Sequence, residues 1–279
     1  MRQISVDRIK EAVSELVKKA NLYLPDDIIK ALKKSENREK SAVGRDIISQ
    51  IIKNNRIAAE EKLPICQDTG IVVIFLEIGN EVYIKGDVYQ AINDGVAAGY
   101  KEGYLRKSIV DNPLERINTG DNTPAVIHTK IVPGDKIKIL VVPKGGGSEN
   151  MSLVKMLKPA DGVEGIKSLV LKTVKNAGAN PCPPIIVGIG LGGTLEKAAL
   201  LAKEALVRPL DDRSPDEEIA RLEDELLEDI NKLGIGPQGL GGVITALGVK
   251  INTFPCHIAS LPVAININCH VARHQEIVI

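Results

Sequence analysis

The sequence contains no tryptophan, and aromatic residues occupy only 3% of its 279 positions. Because single-stranded nucleic acids are bound largely by stacking on aromatic side chains, this scarcity argues against such a binding surface. Neither sign of charge is in excess, since Lys plus Arg and Asp plus Glu number 36 each. Nothing in this balance points to a nucleic acid or to a membrane as a partner, and we expect neither. The core must be aliphatic.

The N-terminus lacks the apolar run of a signal peptide. It begins Met1-Arg2-Gln3-Ile4-Ser5 and carries charged residues every few positions, which fits neither a secretory leader nor a membrane-spanning helix. Cysteine is also scarce, with four in the whole chain, too few for a secreted scaffold held together by disulfides. We therefore expect a cytoplasmic protein.

The apolar pattern predicts a chain of mixed secondary structure. Apolar side chains recur at helical spacing from residue 6 to residue 55, which predicts a helical opening segment over about residues 1–60. Residues 70–84 change to β-branched residues around Gly79-Asn80, which predicts a hairpin. No Ser-rich or Pro-rich linker follows, so we expect one α/β or α+β layered catalytic domain over residues 1–279. Further helices are predicted at 88–101, 162–177, 195 onward and 216–233, and strands at 125–129, 136–142, 184–192, 243–247 and 257–268.

Two glycine-rich segments follow predicted strands. Residues 143–150 precede a helical segment, so their backbone N–H groups form either an anion cradle or a plain flexible turn. Residues 188–194 are open to the same two interpretations, as packing glycines or as a cradle for a phosphate or carboxylate. A nucleotide-binding module needs a Lys-Ser/Thr phosphate motif, and Thr194 is followed by Leu195, so that motif is absent.

Three of the four cysteines lie far apart in segments typical of rigid turns: Cys66, Cys182 and Cys269. Prolines beside Cys182 fix the local backbone path, so the thiol is held before anything binds to it. Three such thiolates would hold three irons of a 4Fe-4S cluster and leave the fourth iron open to a substrate. The alternatives are buried inert thiols, which suits Cys256 best, a disulfide, or a zinc site, although the adjacent Cys-His pairs at 256–257 and 269–270 lack the usual ligand spacing.

Taken in order, the motifs of this chain resemble those of one family. The chain resembles the alpha subunit, or N-terminal catalytic domain, of class I iron-sulfur fumarate hydratases, a family that also contains L-tartrate dehydratase. The resemblance covers nearly the whole chain, and several motifs in order are more specific than any one alone. It rests on Cys66-Gln67-Asp68-Thr69-Gly70, Gly145-Gly146-Gly147-Ser148-Glu149-Asn150, Asn180-Pro181-Cys182-Pro183-Pro184, the glycine-rich residues 188–194, and the ending around His257 and Cys269.

The resemblance assigns roles to particular residues. It implies that Cys66, Cys182 and Cys269 hold a 4Fe-4S cluster whose fourth iron binds the substrate, and that Cys256 has no ligand role. It also implies that the substrate is contacted by Gln67, Asp68, Arg106, His257 and, through a backbone donor, Gly146.

These residue types suit the chemistry of a diacid. Arg106 offers a bidentate fork for one carboxylate, and glycine-loop N–H groups can take the other. Asp68, or a group that it activates, can serve as the base for the carbon-bound proton, while His257 can orient a carboxylate or relay a proton. Without the resemblance, each of these residues also has a non-catalytic interpretation. Asp68 suits a turn or a helix cap, Arg106 suits a surface ion pair, and His257 suits a structural role.

The resemblance also implies a reaction and a partner. The reaction is reversible hydration of fumarate to (S)-malate, a step of the tricarboxylic acid cycle, with dehydration of L-tartrate as the alternative. A less favoured hypothesis is a non-enzymatic iron-sulfur electron carrier or sensor, which would use four protein ligands. Single-chain members continue into a C-terminal lid domain, whereas this sequence ends at Ile279. We therefore expect a separate beta subunit in an α2β2 heterotetramer.

Overall fold

A computed structural model describes all residues from 1 to 279. The chain packs into two compact units. The first unit contains Met1–Pro25, Asn55–Gly146 and Arg273–Ile279, and the second contains Asp26–Asn54 and Gly147–Ala272. The expectation of one catalytic domain over residues 1–279 stays a prediction.

Helices and strands alternate along the chain, which confirms the predicted α/β class. In chain order the elements are β1 (Arg2–Ser5), α1 (Val6–Leu22), α2 (Asp26–Arg38), α3 (Ala42–Glu61), β2 (Ile71–Gly79), β3 (Val82–Lys85), α4 (Val88–Glu102), β4 (Val126–Val132), β5 (Ile137–Lys144), α5 (Gly146–Glu149), β6 (Leu153–Leu157), α6 (Gly162–Ala177), β7 (Ile185–Gly192), α7 (Leu195–Ala205), α8 (Glu217–Lys232), β8 (Ala246–Phe254), β9 (Leu261–Asn268) and β10 (Gln275–Val278), with short 3₁₀ turns at Pro159–Asp161 and Pro237–Gly239. No helix combines the length and apolarity needed to cross a membrane.

The first unit is built on a four-stranded sheet in the order β10-β5-β2-β4. Strand β5 is antiparallel to both β2 and β10, and β4 is parallel to β2. Helices α1 and α4 pack closely because α4 carries glycines where it meets α1. A Cβ atom on Gly95 would lie 2.6 Å from the carbonyl oxygen of Lys10, and one on Gly99 would lie 2.8 Å from that of Ser14. The aliphatic core of this unit lies between these helices and the sheet.

The predicted hairpin over residues 70–84 is wrong. Strands β2 and β3 form where the pattern places them, but they do not pair with each other. Strand β2 is flanked by β4 on one side and β5 on the other, so it has no free edge, and β3 instead pairs in parallel with β1. The turn between β2 and β3 contacts another loop, since a Cβ atom on Gly79 would lie 2.2 Å from the carbonyl oxygen of Gly134.

The second unit is built on a sheet in the order β6-β9-β7-β8, in which β8 is parallel to β7 and β9 is antiparallel to β7. Residues 185, 187, 189 and 191 of β7 join the apolar core formed with α6 and α8. Gly188 and Gly190 lie on the opposite face, against α7. Added Cβ atoms there would lie 2.3 Å from the carbonyl oxygen of Ala202 and 2.0 Å from that of Ala198. These two glycines therefore serve close packing of the helix on the strand rather than an anion cradle.

A buried carboxylate organises the loop that leads into β8. Glu39 is only 2% exposed and accepts hydrogen bonds from the backbone N–H groups of Lys40, Ser41, Val243 and Ile244 at 2.8 to 3.0 Å. Burial on its own would raise the pKa of Glu39, but these backbone donors hold the pKa below its usual value. Glu39 therefore fixes the end of the glycine-rich residues 234–242.

Candidate functional site

The segment of residues 66–70 lies in the first unit, between α3 and β2. Cys66 is half-buried, and its sulfur accepts a hydrogen bond from the backbone N–H of Asp68 at 3.4 Å. The side-chain oxygen of Gln67 lies 3.5 Å from the same sulfur. These two contacts fix the position of the sulfur relative to Gln67 and Asp68.

The carboxylate of Asp68 is held by two backbone N–H groups. Its Oδ1 accepts from Gly70 at 3.0 Å, and its Oδ2 accepts from Gly146 at 2.8 Å. The structure therefore brings two predicted site residues, Asp68 and Gly146, into direct contact. Gly70 is required by its surroundings, because its φ is +76° and an added Cβ atom would lie 2.7 Å from the backbone of Lys144.

Arg106 is anchored near this segment by its backbone. Its carbonyl oxygen accepts a hydrogen bond from the hydroxyl of Thr69 at 2.6 Å, while its side chain is exposed. Asn122 is fully buried; its amide donates to the carbonyl oxygen of Gly70 at 3.1 Å, and its Oδ1 accepts from the N–H of Ser108 at 2.7 Å. The chain around Arg106 is thus fixed while the guanidinium remains accessible to a ligand.

The buried Tyr100 supports the segment of residues 66–70 by hydrogen bonding to its backbone. The hydroxyl of Tyr100 donates to the carbonyl oxygen of Thr69 at 2.6 Å and lies 3.0 Å from that of Gly70. Burial is the main reason that the pKa of Tyr100 is raised well above its usual value. The hydroxyl therefore stays protonated and acts as a permanent donor.

Cys182 lies in the second unit on a constrained turn. Its φ is +52°, a left-handed conformation that residues other than glycine rarely adopt, and its backbone N–H donates to the carbonyl oxygen of Ala179 at 3.0 Å. The thiol is exposed. The backbone at Cys182 is therefore constrained, and the prediction that its thiol is held in place for a ligand stays a prediction.

His270, the residue after Cys269, connects the segments of Cys182 and Cys269 within the second unit. The Nδ1 atom of His270 lies 2.9 Å from the carbonyl oxygen of Cys182 and 3.2 Å from the side-chain nitrogen of Gln238. Burial lowers the pKa of His270, and the bond to Cys182 opposes this only in part. Gln238 adds a second tie by donating to the carbonyl oxygen of Pro183 at 2.9 Å.

His257 lies in the loop after β8 and is exposed. Its Nδ1 accepts a hydrogen bond from the backbone N–H of Ala259 at 3.1 Å, so the neutral ring carries its proton on Nε2 and can donate from there. It lines a cavity of about 350 Å³ that is also lined by Cys256, Thr194 and Lys197. The interpretation of Cys256 as a buried thiol is wrong, since this residue is exposed and its sulfur contacts the carbonyl oxygen of Ser260 at 3.4 Å.

The three predicted metal ligands belong to different units of the structure. Cys66 is in the first unit, whereas Cys182 and Cys269 are in the second. No group of three or more His, Cys, Asp or Glu side chains is assembled in a way that could hold a metal ion. The donor chemistry nevertheless fits an iron-sulfur cluster, because none of these cysteines forms a disulfide and none is fully buried. Their role as ligands stays a prediction.

Several residues that support the predicted site segments within each unit were missed from the sequence. Each acts through a backbone contact made across a long sequence separation, and such contacts leave no local motif. A buried polar residue in an otherwise apolar stretch, as at Tyr100, is the one signal that the sequence offers. The missed residues are Tyr100, Asn122, Gln238, His270 and Arg273.

Comparison with known proteins gives a family match over nearly the full chain. The model of the family described as Fumarate hydratase (Fumerase) matches residues 10–278. A protein of Methanocaldococcus jannaschii that carries the provisional name L(+)-tartrate dehydratase subunit alpha is 48% identical over 273 residues, covering 95% of each chain. Proteins of Escherichia coli and Shigella sonnei, both named L(+)-tartrate dehydratase subunit alpha, are each 31% identical over 282 residues, covering 100% of this chain and 93% of theirs.

Proposed function

The chain belongs to the fumarate hydratase family and is a hydro-lyase of the type shared by fumarate hydratases and tartrate dehydratases, and on this premise we propose that it is the alpha subunit of a two-subunit enzyme that interconverts fumarate and (S)-malate. The observation that carries the proposal is the arrangement of residues 66–70. A thiol, a carboxamide and a carboxylate follow one another there, and the thiol and the carboxylate are both held by backbone N–H groups.

The proposed cofactor is a 4Fe-4S cluster held by Cys66, Cys182 and Cys269. When bound, it supplies an iron with no protein ligand, and such an iron is a Lewis acid toward the hydroxyl that leaves or enters. Hydroxide is a poor leaving group, so this reaction needs help of that kind. The remaining tasks, which are to hold two carboxylates and to move a carbon-bound proton, fall to the protein's own side chains and backbone.

Arg106 and Gly146 are the proposed carboxylate donors. The guanidinium of Arg106 is exposed and offers a planar fork that matches a carboxylate. The N–H of Gly146 already donates to Asp68 Oδ2, so it becomes a substrate donor only by exchanging the carboxylate of Asp68 for that of the substrate. The exchange conserves the hydrogen bond and releases Oδ2 of Asp68.

Asp68 is the proposed base for the carbon-bound proton. After the exchange, Oδ1 still accepts from Gly70, which holds the orientation of the carboxylate, while Oδ2 is available to take a proton. Gln67, directly before it, offers an amide that can donate to a substrate oxygen. His257 has its Nε2–H free to donate to a carboxylate, because Nδ1 is occupied by the N–H of Ala259.

L-Tartrate is the second candidate substrate, because the similar proteins of Methanocaldococcus jannaschii and Escherichia coli carry that name. Tartrate differs from malate by one additional hydroxyl group. A site that hydrogen-bonds this hydroxyl rejects a substrate without it, whereas a site with no partner for it accepts malate. The same side chains at residues 66–68 serve both reactions.

A separate beta subunit is the proposed partner, since the similar proteins are named as alpha subunits. We expect an α2β2 assembly whose beta subunit completes the substrate site. The alpha chain alone should bind the cluster but turn over poorly. Strong hydro-lyase activity from purified alpha chain alone would contradict this division of the site.

The test is a comparison of kcat/KM for (S)-malate, fumarate and L-tartrate on the co-purified complex, prepared anaerobically. We expect kcat/KM for malate and fumarate to exceed that for tartrate by at least about tenfold. The presence or absence of a hydrogen-bond partner for one hydroxyl group can produce a difference of this size. The reverse order would replace the fumarate reaction by tartrate dehydration. Lack of activity on all three, with a full cluster present, would favour an electron carrier.

A further inference from the structure

Arg273 is a buried cation that the proposed chemistry does not use. It belongs to the first unit, follows Cys269 by four residues along the chain, and is 3% exposed. Its Nη2 donates to the carbonyl oxygen of Asp68, while its Nε and Nη1 are fully buried and have no hydrogen-bond partner. No carboxylate pairs with it among the ion pairs of the chain.

A guanidinium in this state is costly to keep. Burying a charge without a counter-charge is unfavourable, and each unpaired buried donor adds to the cost. Methionine or leucine would fill the same space without the buried charge. What arginine adds over such an apolar side chain is one contact, the hydrogen bond to the carbonyl oxygen of Asp68.

That bond restrains the peptide on which the predicted chemistry depends. The backbone N–H of Asp68 donates to the sulfur of Cys66, and the side chain of Asp68 accepts from Gly70 and Gly146. The carbonyl of Asp68 is the remaining polar group of this residue, and Arg273 holds it. With all its polar groups engaged, Asp68 cannot rotate without breaking a charge-assisted hydrogen bond.

We propose that Arg273 is a positioning residue, which fixes the peptide of Asp68 and thereby orients both the thiol of Cys66 and the carboxylate of Asp68. Its effect on the reaction rests on the function proposed above. Its effect on residues 66–70 does not, and can be measured in the chain without cluster or partner.

The first experiment uses hydrogen exchange followed by mass spectrometry on the metal-free full-length chain, with the variants Arg273→Met and Arg273→Lys. Methionine fills the space but donates no hydrogen bond, so we expect the amides of residues 66–70 and of Gly146 to exchange at least about tenfold faster. Lysine restores one donor to the carbonyl of Asp68, so it should recover most of the protection.

Arg208→Met is the matched control. Arg208 lies in the second unit, donates to the carbonyl oxygen of Ile251 at 2.9 Å, and also has a buried Nη2 without a partner. It differs from Arg273 in that it also forms ion pairs with Asp212 and Glu223. Its loss should lower the melting temperature without changing exchange in residues 66–70. If Arg273→Met leaves these residues unchanged, or accelerates exchange equally throughout the chain, the positioning role is wrong.

Thiol alkylation gives an independent measure of the same segment. The rate at which iodoacetamide modifies Cys66 is compared with that of the exposed Cys256 in the same chain. We expect the ratio to rise severalfold in Arg273→Met and to return toward the wild-type value in Arg273→Lys, because a loosened segment exposes the half-buried sulfur of Cys66 to the reagent. An unchanged ratio in the methionine variant would overturn the proposal.

The consequence for the reaction is measured on the cluster-loaded complex. A misoriented Asp68 should lower kcat about tenfold or more, with a change in KM of less than about threefold, since its carboxylate acts on the proton rather than in binding. If the segment loosens but kcat is unchanged, the catalytic part of the inference is wrong and the proposed function survives. If the wild-type complex has no hydro-lyase activity, the proposed function fails while the exchange result stands.

Discussion

The carboxylate of Asp68 receives both of its hydrogen bonds from glycine N–H groups, those of Gly70 and Gly146. Position 70 requires glycine, because its φ is +76° and an added Cβ atom would lie 2.7 Å from the backbone of Lys144. At the residue scale, the site therefore depends on backbone groups as much as on reactive side chains. The proposed exchange of the Gly146 N–H between Asp68 and a substrate carboxylate rests on this arrangement.

The four cysteines provide a direct test of the proposed ligand set. We expect Cys66→Ala, Cys182→Ala and Cys269→Ala each to lower the iron content of the anaerobically reconstituted chain to less than about half of the wild-type value, because a cluster held by two thiolates is readily lost. Iron and acid-labile sulfide per chain are the measured quantities. Cys256→Ala is the matched control and should retain full iron; a loss of iron in this variant alone would refute the assignment.

Glu39 provides a test of stability at the residue scale. Replacement by Gln should destabilise the protein by roughly 2–4 kcal/mol at pH 7, because four backbone N–H donors lose a buried carboxylate acceptor. Urea unfolding of the wild type and of Glu39→Gln measures the difference. Glu61→Gln, at an exposed position with no described hydrogen bond, is the control and should be nearly neutral.

The effect of Glu39 should also depend on pH. The pKa of this carboxyl is lower in the folded protein than its usual value of 4.5, so the carboxylate contributes stability above pH 4.5. This contribution is lost progressively as the pH falls from there through the lower pKa of the folded state. The stability gap between wild type and Glu39→Gln should therefore narrow in acid; a gap that widens below pH 4.5 would contradict the described hydrogen bonding.

At the element scale, the helices follow their apolar periodicity closely. Predicted helices at 88–101 and 162–177 correspond to α4 (Val88–Glu102) and α6 (Gly162–Ala177), because an amphipathic pattern is a local property. The strands missed from the sequence, β1, β6 and β10, have only four or five residues, too few for a pattern to show. The predicted hairpin is wrong for a related reason. The pairing of strands depends on segments that are distant in the sequence, as with β1 and β3.

The glycines of β7 test whether this strand serves packing or anion binding. Gly190→Ala should destabilise the protein by roughly 3 kcal/mol or more, because the added Cβ atom would lie 2.0 Å from the carbonyl oxygen of Ala198 and helix α7 must move. Thermal or urea unfolding measures this effect. Gly147→Ala, whose nearest neighbour would be 3.5 Å away, is the control and should cost far less. A stable Gly190→Ala variant with a raised KM for the diacid would instead favour the cradle.

At the scale of the whole molecule, the sequence offers candidates for the chemistry but not the contacts that support them. Cys66, Gln67 and Asp68 stand out because reactive residue types recur in a short segment and match a family motif, and their roles stay predictions. Arg273, His270 and Asn122 do not stand out, because each holds a backbone carbonyl of a segment distant in sequence. The division of the chain into two units could not be predicted either, because each unit is built from discontinuous segments and no linker-like composition separates them.

The decisive experiment on the proposed open iron is electron paramagnetic resonance of the reduced cluster in the anaerobically reconstituted chain, alone and with its partner subunit, before and after addition of malate or fumarate. An iron that lacks a protein ligand can bind the substrate, so we expect a four-iron cluster whose signal shifts when the diacid is added. A four-iron cluster whose signal is indifferent to malate, fumarate and tartrate would contradict this expectation.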